Sequence, residues 1–317
     1  MAKNEYEKDL VFVPCPYCHT EDYDVVATGR DFEFETSEKN YQFVSCKECG
    51  LLRLNPRPNI TDLNNIYPKE YNCYHIETFY HPLLNIIRLF FQKRIVSDIK
   101  KLCNKQALIL DVGCGSGELL LLLRKYGSKN WNLAGNDITD ASKGSLIKHN
   151  IDFIKGRFED LNFHRGDWDV IILQGVIEHL DDPDKVIKGA YRMLKKGGHL
   201  MLITPSSESW DARLFKSKYW AQWHFPRHWV IYNPTLIKMQ LIKNGFSQIN
   251  INPLLSPWSW IQSLHNYFVN KNKKGIMTKI INMNNALLIL LFSLVNLIQI
   301  LLTNNSANMK IIAKKNV

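Results

Sequence analysis

"ALILDVGCGSGELLLLLRKYG", residues 107–127, carries the clearest fold signal in the chain. Four apolar residues, 107–110, run without polar alternation into Asp111, as a strand buried on both faces does. Gly113, Gly115 and Gly117 permit a tight turn and let backbone N–H groups approach a ligand. From Glu118 onward, leucines recur across the inner face of a helix. Strand, glycine turn and helix in this order open a nucleotide-binding α/β fold.

Three ligands compete for that turn. A P-loop needs Gly-Lys-Ser/Thr, which this stretch lacks. A dinucleotide fingerprint puts its third glycine where Glu118 stands, and a carboxylate there opposes a pyrophosphate. S-adenosylmethionine has no phosphate, and Asp111 and Glu118 suit its sulfonium and ammonium charges. Downstream, "NLAGNDITDAS" reads as a strand ending in Asp137, placed to accept ribose hydroxyls. "IDFIKGRFED" reads as a third strand with Arg157–Asp160 at its exit. "DWDVIILQGVIEHLDDPDKVIKGAYRMLKKGGHLMLITP" supplies strand, loop, helix, Gly-Gly turn and strand. Strands alternating with helices predict an α/β fold, a doubly wound parallel sheet with ligands at the strands' carboxyl ends.

In this order, "LDVGCGSG", "GND", "GRFEDLNF", "DVIILQGVIEHLDDP" and "LKKGGHLMLITP" resemble the successive motifs of class I S-adenosylmethionine-dependent methyltransferases. The resemblance covers residues 105–252 and implies a Rossmann-like methyltransferase sheet. It implies that Asp111, Gly113, Gly115 and Gly117 hold the methionine end of the donor and Asp137 its ribose. Arg157 and Phe158 would lie beside the adenine, and Gln174 would face the methyl-donor side.

Methyl transfer to an O–H or N–H acceptor requires a proton to leave, and histidine titrates in the right range. Three of the ten histidines lie near the expected strand ends: His179 after the fourth strand, and His224 and His228 in "YWAQWHFPRHWVIYNP". That stretch surrounds His224, Arg227 and His228 with Trp220, Trp223, Phe225 and Trp229, which suits a cyclic or sugar-like acceptor, with or without phosphate. The bland alternative is a capping loop whose tryptophans only pack. The order of four cysteines, methyltransferase motifs, "EHL" and "PRH" is similar to enzymes of bacterial surface-glycan and nucleotide-sugar methylation. On that basis His228 is the first candidate base, His224 the second and His179 the third.

"CPYC" at Cys15–Cys18 and "CKECG" at Cys46–Cys49 are two C-x-x-C pairs whose spacing predicts a structural four-thiolate zinc ribbon. Gly50 suits the positive-φ position closing such a turn, whereas the first turn has His19. Residues 1–75 hold eight basic and thirteen acidic residues, which argues against nucleic-acid binding. The net charge of +10 resides in the C-terminal third: after Asp211 there are thirteen Lys or Arg and no Asp or Glu. An anionic partner, such as a lipid surface or a phosphorylated substrate, suits that end. The charged opening "MAKNEYEKDL" has no signal-peptide core, and seven cysteines without an export signal point to a reducing cytoplasm.

"ALLILLFSLVNLIQILL" (286–302) is an apolar helix, and "NMKIIAKK" (308–315) alternates as a final strand. If 246–251 and 308–315 pair as the closing hairpin, residues 253–305 form an apolar and basic helical insertion before the last strand. Both its ends are then tied to one soluble sheet, so it cannot cross a bilayer an odd number of times. Asn285, Ser293, Asn296, Gln299 and Thr303 fall in one polar sector, and upstream aromatics adjoin a lysine cluster. A helix resting on an anionic membrane surface fits best; burial against the body or a dimer partner, and a true span, are the alternatives.

The expected organisation is a zinc ribbon over 1–75, a methyltransferase domain over 76–252 plus 306–317, and the insertion between. The expected function is methylation of a glycan, nucleotide-sugar or lipid-linked precursor by a cytoplasmic protein peripheral to the inner membrane face. The competing readings are a quinone-pathway O-methyltransferase, an rRNA methyltransferase and an inactive cofactor-binding scaffold.

Overall fold

The computed structural model describes residues 10–62, 66–67, 82–161, 167–271 and 275–316. A seven-stranded sheet forms its centre. Across the sheet the order is Phe246–Leu254, Asn308–Lys315, Leu194–Pro205, Trp168–Gln174, Ala107–Val112, Trp131–Asp137 and Asp152–Lys155. The five strands from Leu194–Pro205 to Asp152–Lys155 are parallel, and Asn308–Lys315 pairs antiparallel with both of its neighbours. The doubly wound sheet expected from the alternating motifs is present. Its central strands are apolar on both faces because helices cover both: Ile109, Leu110, Ile171 and Ile172 are fully buried.

Local signals set the helices. Glu118–Tyr126 starts at Gly117, whose φ of 76° no β-branched residue would adopt, and buries Leu119, Leu120, Leu122 and Leu123. Pro183–Met193 and Pro234–Lys243 each begin with proline behind an Asx cap. Asp182 accepts from the Lys185 N–H at 3.0 Å and Asn233 from the Leu236 N–H at 2.7 Å.

The strands Tyr23–Gly29, Tyr41–Cys46 and Leu52–Leu54 form a second antiparallel sheet, and Val230–Ile231 joins it as a fourth strand. The N-terminal module is therefore stitched to the chain just beyond "PRH". Trp220, Trp223 and Phe225 are at most 3% exposed and pack with Tyr41 and Phe43 in one core. They join the two sheets and form no acceptor wall, so the bland reading of this loop holds for these three rings. Arg227, read as a possible phosphate contact, is also buried: its guanidinium donates to both Asp31 oxygens at 3.1 and 2.8 Å.

The helix Ala286–Thr303 meets the body with its polar sector. Asn296 and Gln299 have no exposed surface, and Asn296 Oδ1 accepts from the Ser256 N–H at 2.7 Å and the Ser306 hydroxyl at 3.1 Å. Its leucines point outward instead: Leu287, Leu301 and Leu302 are 72–78% exposed. Among the described residues it is the one helix long and apolar enough to cross a membrane, by length and composition alone.

Candidate active site

The strand order reverses beside Ala107–Val112, and the carboxyl ends there open into a pocket, as expected at a topological switch point. Gly113 and Gly115 line it, with φ of 65° and 50°. A Cβ on Gly113 would sit 2.5 Å from Val176 Cγ2, so the turn requires glycine on both steric and backbone grounds. Asp137 reaches back across the turn: its Oδ2 accepts from the Gly115 N–H at 2.9 Å, while Oδ1 accepts from the Thr139 N–H and hydroxyl. Arg157, Phe158 and Gln174 share the same wall. Arg157 is held by Glu159 and by Asp181, the latter at 2.7 Å.

Two residues expected in the pocket stand behind it. Gly117 is occupied with packing, since a Cβ there would lie 2.8 Å from Leu146 Cδ2. Asp111 is 4% exposed and absent from the wall; burial, and then the charge of Asp137, push its carboxyl up to about 8. Glu118 pairs with Arg88 of the Pro82–Leu102 helix and does not line the pocket.

The donor set suits a cationic nucleoside. The described wall carries no lysine, and its single arginine is already paired twice. It offers oxygen acceptors: the Asp137 carboxylate and Gln174 Oε1, which is buried without a hydrogen-bond partner among the described residues. An ammonium or sulfonium satisfies these groups, whereas a polyphosphate would meet acceptors with nothing to donate to them.

Of the three histidines, His179 alone lines this pocket. Its Nδ1 lies 3.0 Å from the Arg227 carbonyl, which can only accept. Nδ1 therefore carries the proton and Nε2 the lone pair. Tyr67 adds its hydroxyl 3.0 Å from the same nitrogen. Burial, then the charge of His224, lower His179 to about 3, so the ring is neutral near pH 7. His228, the first candidate from sequence, is 7% exposed and sits behind His179 with ring centroids 4.7 Å apart. Its Nδ1 faces the Gln222 carbonyl at 2.7 Å, and burial holds its basicity well below the ordinary value. His224 is further back and contacts Glu33 at 3.0 Å. The buried Glu178, which accepts from the Thr204 hydroxyl at 3.0 Å, is pushed up to about 7 by burial. Its donor atom and those of His179 and His228 lie within 4.8 Å of one another.

Cys15, Cys18, Cys46 and Cys49 converge, with Sγ···Sγ distances of 3.4 to 3.6 Å for three pairs. Tetrahedral zinc–sulfur bonds of about 2.3 Å imply sulfur separations near 3.8 Å, so the four thiols fit that ion. The turns are alike: the His19 N–H donates to the Cys15 carbonyl and the Gly50 N–H to the Cys46 carbonyl. His19 takes a φ of 64° beside 76° at Gly50, so histidine fills the position expected of glycine.

Sequence reasoning missed Tyr67, Ile60 and Arg57, which approach the site from the N-terminal module. No local pattern marks them, because their proximity depends on the docking of two sheets.

Residues 87–250 match a family described as a methyltransferase domain. Among curated relatives, the ubiquinone biosynthesis O-methyltransferase of Shewanella halifaxensis is 32% identical over 125 residues, 38% of this chain and 51% of the relative. The tRNA U34 carboxymethyltransferase of Wolinella succinogenes is 34% identical over 114 residues, 32% of this chain and 38% of the relative. The chain spans about half the length, or less, of these two relatives. Among solved structures, Haemonchus contortus phosphoethanolamine N-methyltransferase 2 with S-adenosyl-L-methionine superposes with a TM-score of 0.51 at 14% identity. That likeness covers 93% of this chain and 69% of the other, and it concerns the fold alone. With a match over just over half of its length, a glycine turn closed by Asp137 and a pocket at the switch point, this chain belongs to the methyltransferase domain family.

Proposed function

We propose that this chain transfers a methyl group from S-adenosylmethionine to a glycan, nucleotide-sugar or lipid-linked precursor at the cytoplasmic face of a membrane. The observation that carries the donor is the acceptor-rich wall, with the unpaired Gln174 Oε1 and the Asp137 carboxylate and no lysine among the described residues. In this reading Gly113 and Gly115 cradle the methionine end, Asp137 takes the ribose, and Arg157 and Phe158 flank the adenine. Asp111 ionises when a cation settles nearby, since the charge repulsion from Asp137 is then offset.

When bound, the donor supplies an electrophilic methyl on a sulfonium. The chain orients the acceptor and receives its proton. His179 is the group placed to do so, with a lone pair on Nε2 and a ring held by the Arg227 carbonyl. Tyr67 steadies that ring, and His228 backs it. The ring is neutral at pH 7, and with its basicity lowered to about 3 it passes the proton onward and does not store it. Zinc in the four-cysteine cluster is structural, because four thiolates leave no open position.

The outward leucines of Ala286–Thr303 support a membrane surface as the location. The O-methyltransferase relative and this apolar face favour a second reading, a quinone precursor as acceptor. A wholly apolar acceptor pocket beneath the insertion would suit it. The space next to the donor pocket carries Arg57, Asp181 and Asp182 instead, which suits a polar acceptor better. Calorimetry with S-adenosylhomocysteine, NAD and ATP tests the donor: binding of the first alone is expected, and binding of a nucleotide polyphosphate without it refutes the assignment. Transfer of labelled methyl to cell-extract fractions then separates glycan from quinone acceptors.

A further inference from the structure

A second cavity of about 230 Å³ lies between the N-terminal module and the methyltransferase sheet. It shares Leu180, Asp181 and Trp229 with the donor pocket, so the two are neighbours across one wall. Arg53 lines it and is only 1% exposed. All three guanidinium nitrogens of Arg53 are buried without a hydrogen-bond partner among the described residues. The Tyr23 ring, 5.5 Å from its Cζ, gives partial compensation. A buried guanidinium with five unused donors is costly unless an anion completes it.

Arg57 lines the same cavity and stacks on Trp229, with Cζ 4.2 Å from the ring centroid. The nearby carboxylates are otherwise engaged. Asp181 accepts from Arg157 at 2.7 Å, and Asp182 caps the Pro183–Met193 helix. None of the four thiols is a hydrogen-bond partner of Arg53, although Cys15 contributes to the wall.

We propose that this cavity is an oxyanion subsite in which Arg53 and Arg57 hold a phosphoryl or carboxylate group of the methyl acceptor. The assignment rests on the methyl-transfer reading above and extends it. An acceptor whose anionic end sits against Arg53 and Arg57 passes Trp229 to reach His179, because both cavities share that indole. Planar guanidinium forks recognise such oxyanions in a bidentate manner, which fixes orientation as well as affinity.

The test uses the full chain with zinc bound. Inorganic pyrophosphate, inorganic phosphate and malonate are titrated by calorimetry and by thermal shift, with S-adenosylhomocysteine in parallel. Wild type is expected to bind at least one anion, with pyrophosphate or phosphate preferred for a phosphorylated acceptor and malonate for a carboxylate. Arg57→Ala is expected to weaken that binding at least tenfold while leaving S-adenosylhomocysteine affinity within twofold. Arg53→Met is expected to abolish the anion-induced shift and to melt, without anion, no lower than wild type. A structural arginine predicts the opposite, a lowered melting temperature with anion binding unchanged in Arg57→Ala. No anion binding beside normal S-adenosylhomocysteine binding overturns the subsite alone. Anion binding without S-adenosylhomocysteine binding leaves the subsite standing and removes the donor reading.

Discussion

Asp31 and Arg227 form the joint between the N-terminal module and the methyltransferase sheet, and Asp31→Asn measures its strength. Both side chains have no exposed surface. Besides the two guanidinium bonds, Asp31 accepts from the N–H groups of Glu33, Phe34 and Thr36 and from the Thr36 hydroxyl. Burial alone would raise the carboxyl, but Arg227 outweighs it and holds Asp31 at about 2 against the ordinary 3.8. By linkage that depression corresponds to about 2.5 kcal/mol favouring the folded state at pH 7. The sign is that of a lowered acid: the contribution is complete above pH 3.8 and lost as pH falls towards 2. Asparagine mimics the protonated acid and leaves the buried Arg227 charge unpaired, so the cost should be about 3 kcal/mol. For a chain of this size that is a fall in melting temperature of roughly 5 °C. Urea unfolding at pH 7 and at pH 3 provides the assay, and the gap between wild type and variant should shrink at the lower pH. A variant within about 0.5 kcal/mol of wild type at pH 7 would refute the reasoning.

His179→Ala should lower turnover at least a hundredfold while S-adenosylhomocysteine affinity stays within twofold, as measured by steady-state kinetics and calorimetry; unchanged turnover removes His179 as base. Because His179 folds with its basicity lowered to about 3, its contribution to stability is present above pH 6.5 and lost as pH falls towards 3, which unfolding curves of wild type against His179→Gln resolve. Gly113→Ala places a methyl 2.5 Å from Val176 at a φ of 65° and should weaken S-adenosylhomocysteine binding by more than tenfold; binding equal to wild type would show that the turn tolerates a side chain. Leu294→Glu with Leu301→Glu, both on the exposed face, should leave the melting temperature unchanged and abolish co-sedimentation with anionic vesicles. Loss of a dimer in sedimentation would instead assign that face to a second copy.

Elements with a strong local code were legible. "ALILDVGCGSGE" specified strand, turn and helix because its apolar run and glycines leave few alternatives, and the pocket formed where those motifs converge. The four cysteines converged because C-x-x-C spacing is itself a geometric constraint. The acceptor side was less legible. His179, His224 and His228 look alike in sequence, and only burial by the module's aromatic core leaves His179 on the wall.

Sequence by itself thus determined the order of strands and helices, the glycine turn, the thiol cluster and the amphipathic sectors, all consequences of short-range periodicity and spacing. Tertiary structure alone decided which arginine is paired and which is not. Asp31 finds Arg227 from 196 residues away, while Arg53 finds no hydrogen-bond partner among the described residues. It also decided that Ala286–Thr303 turns its polar sector inward, because Ser256 and Ser306 wait there for Asn296. Such pairings depend on how two sheets and a helix dock, and docking is set by the whole packed surface, which no local window of sequence contains.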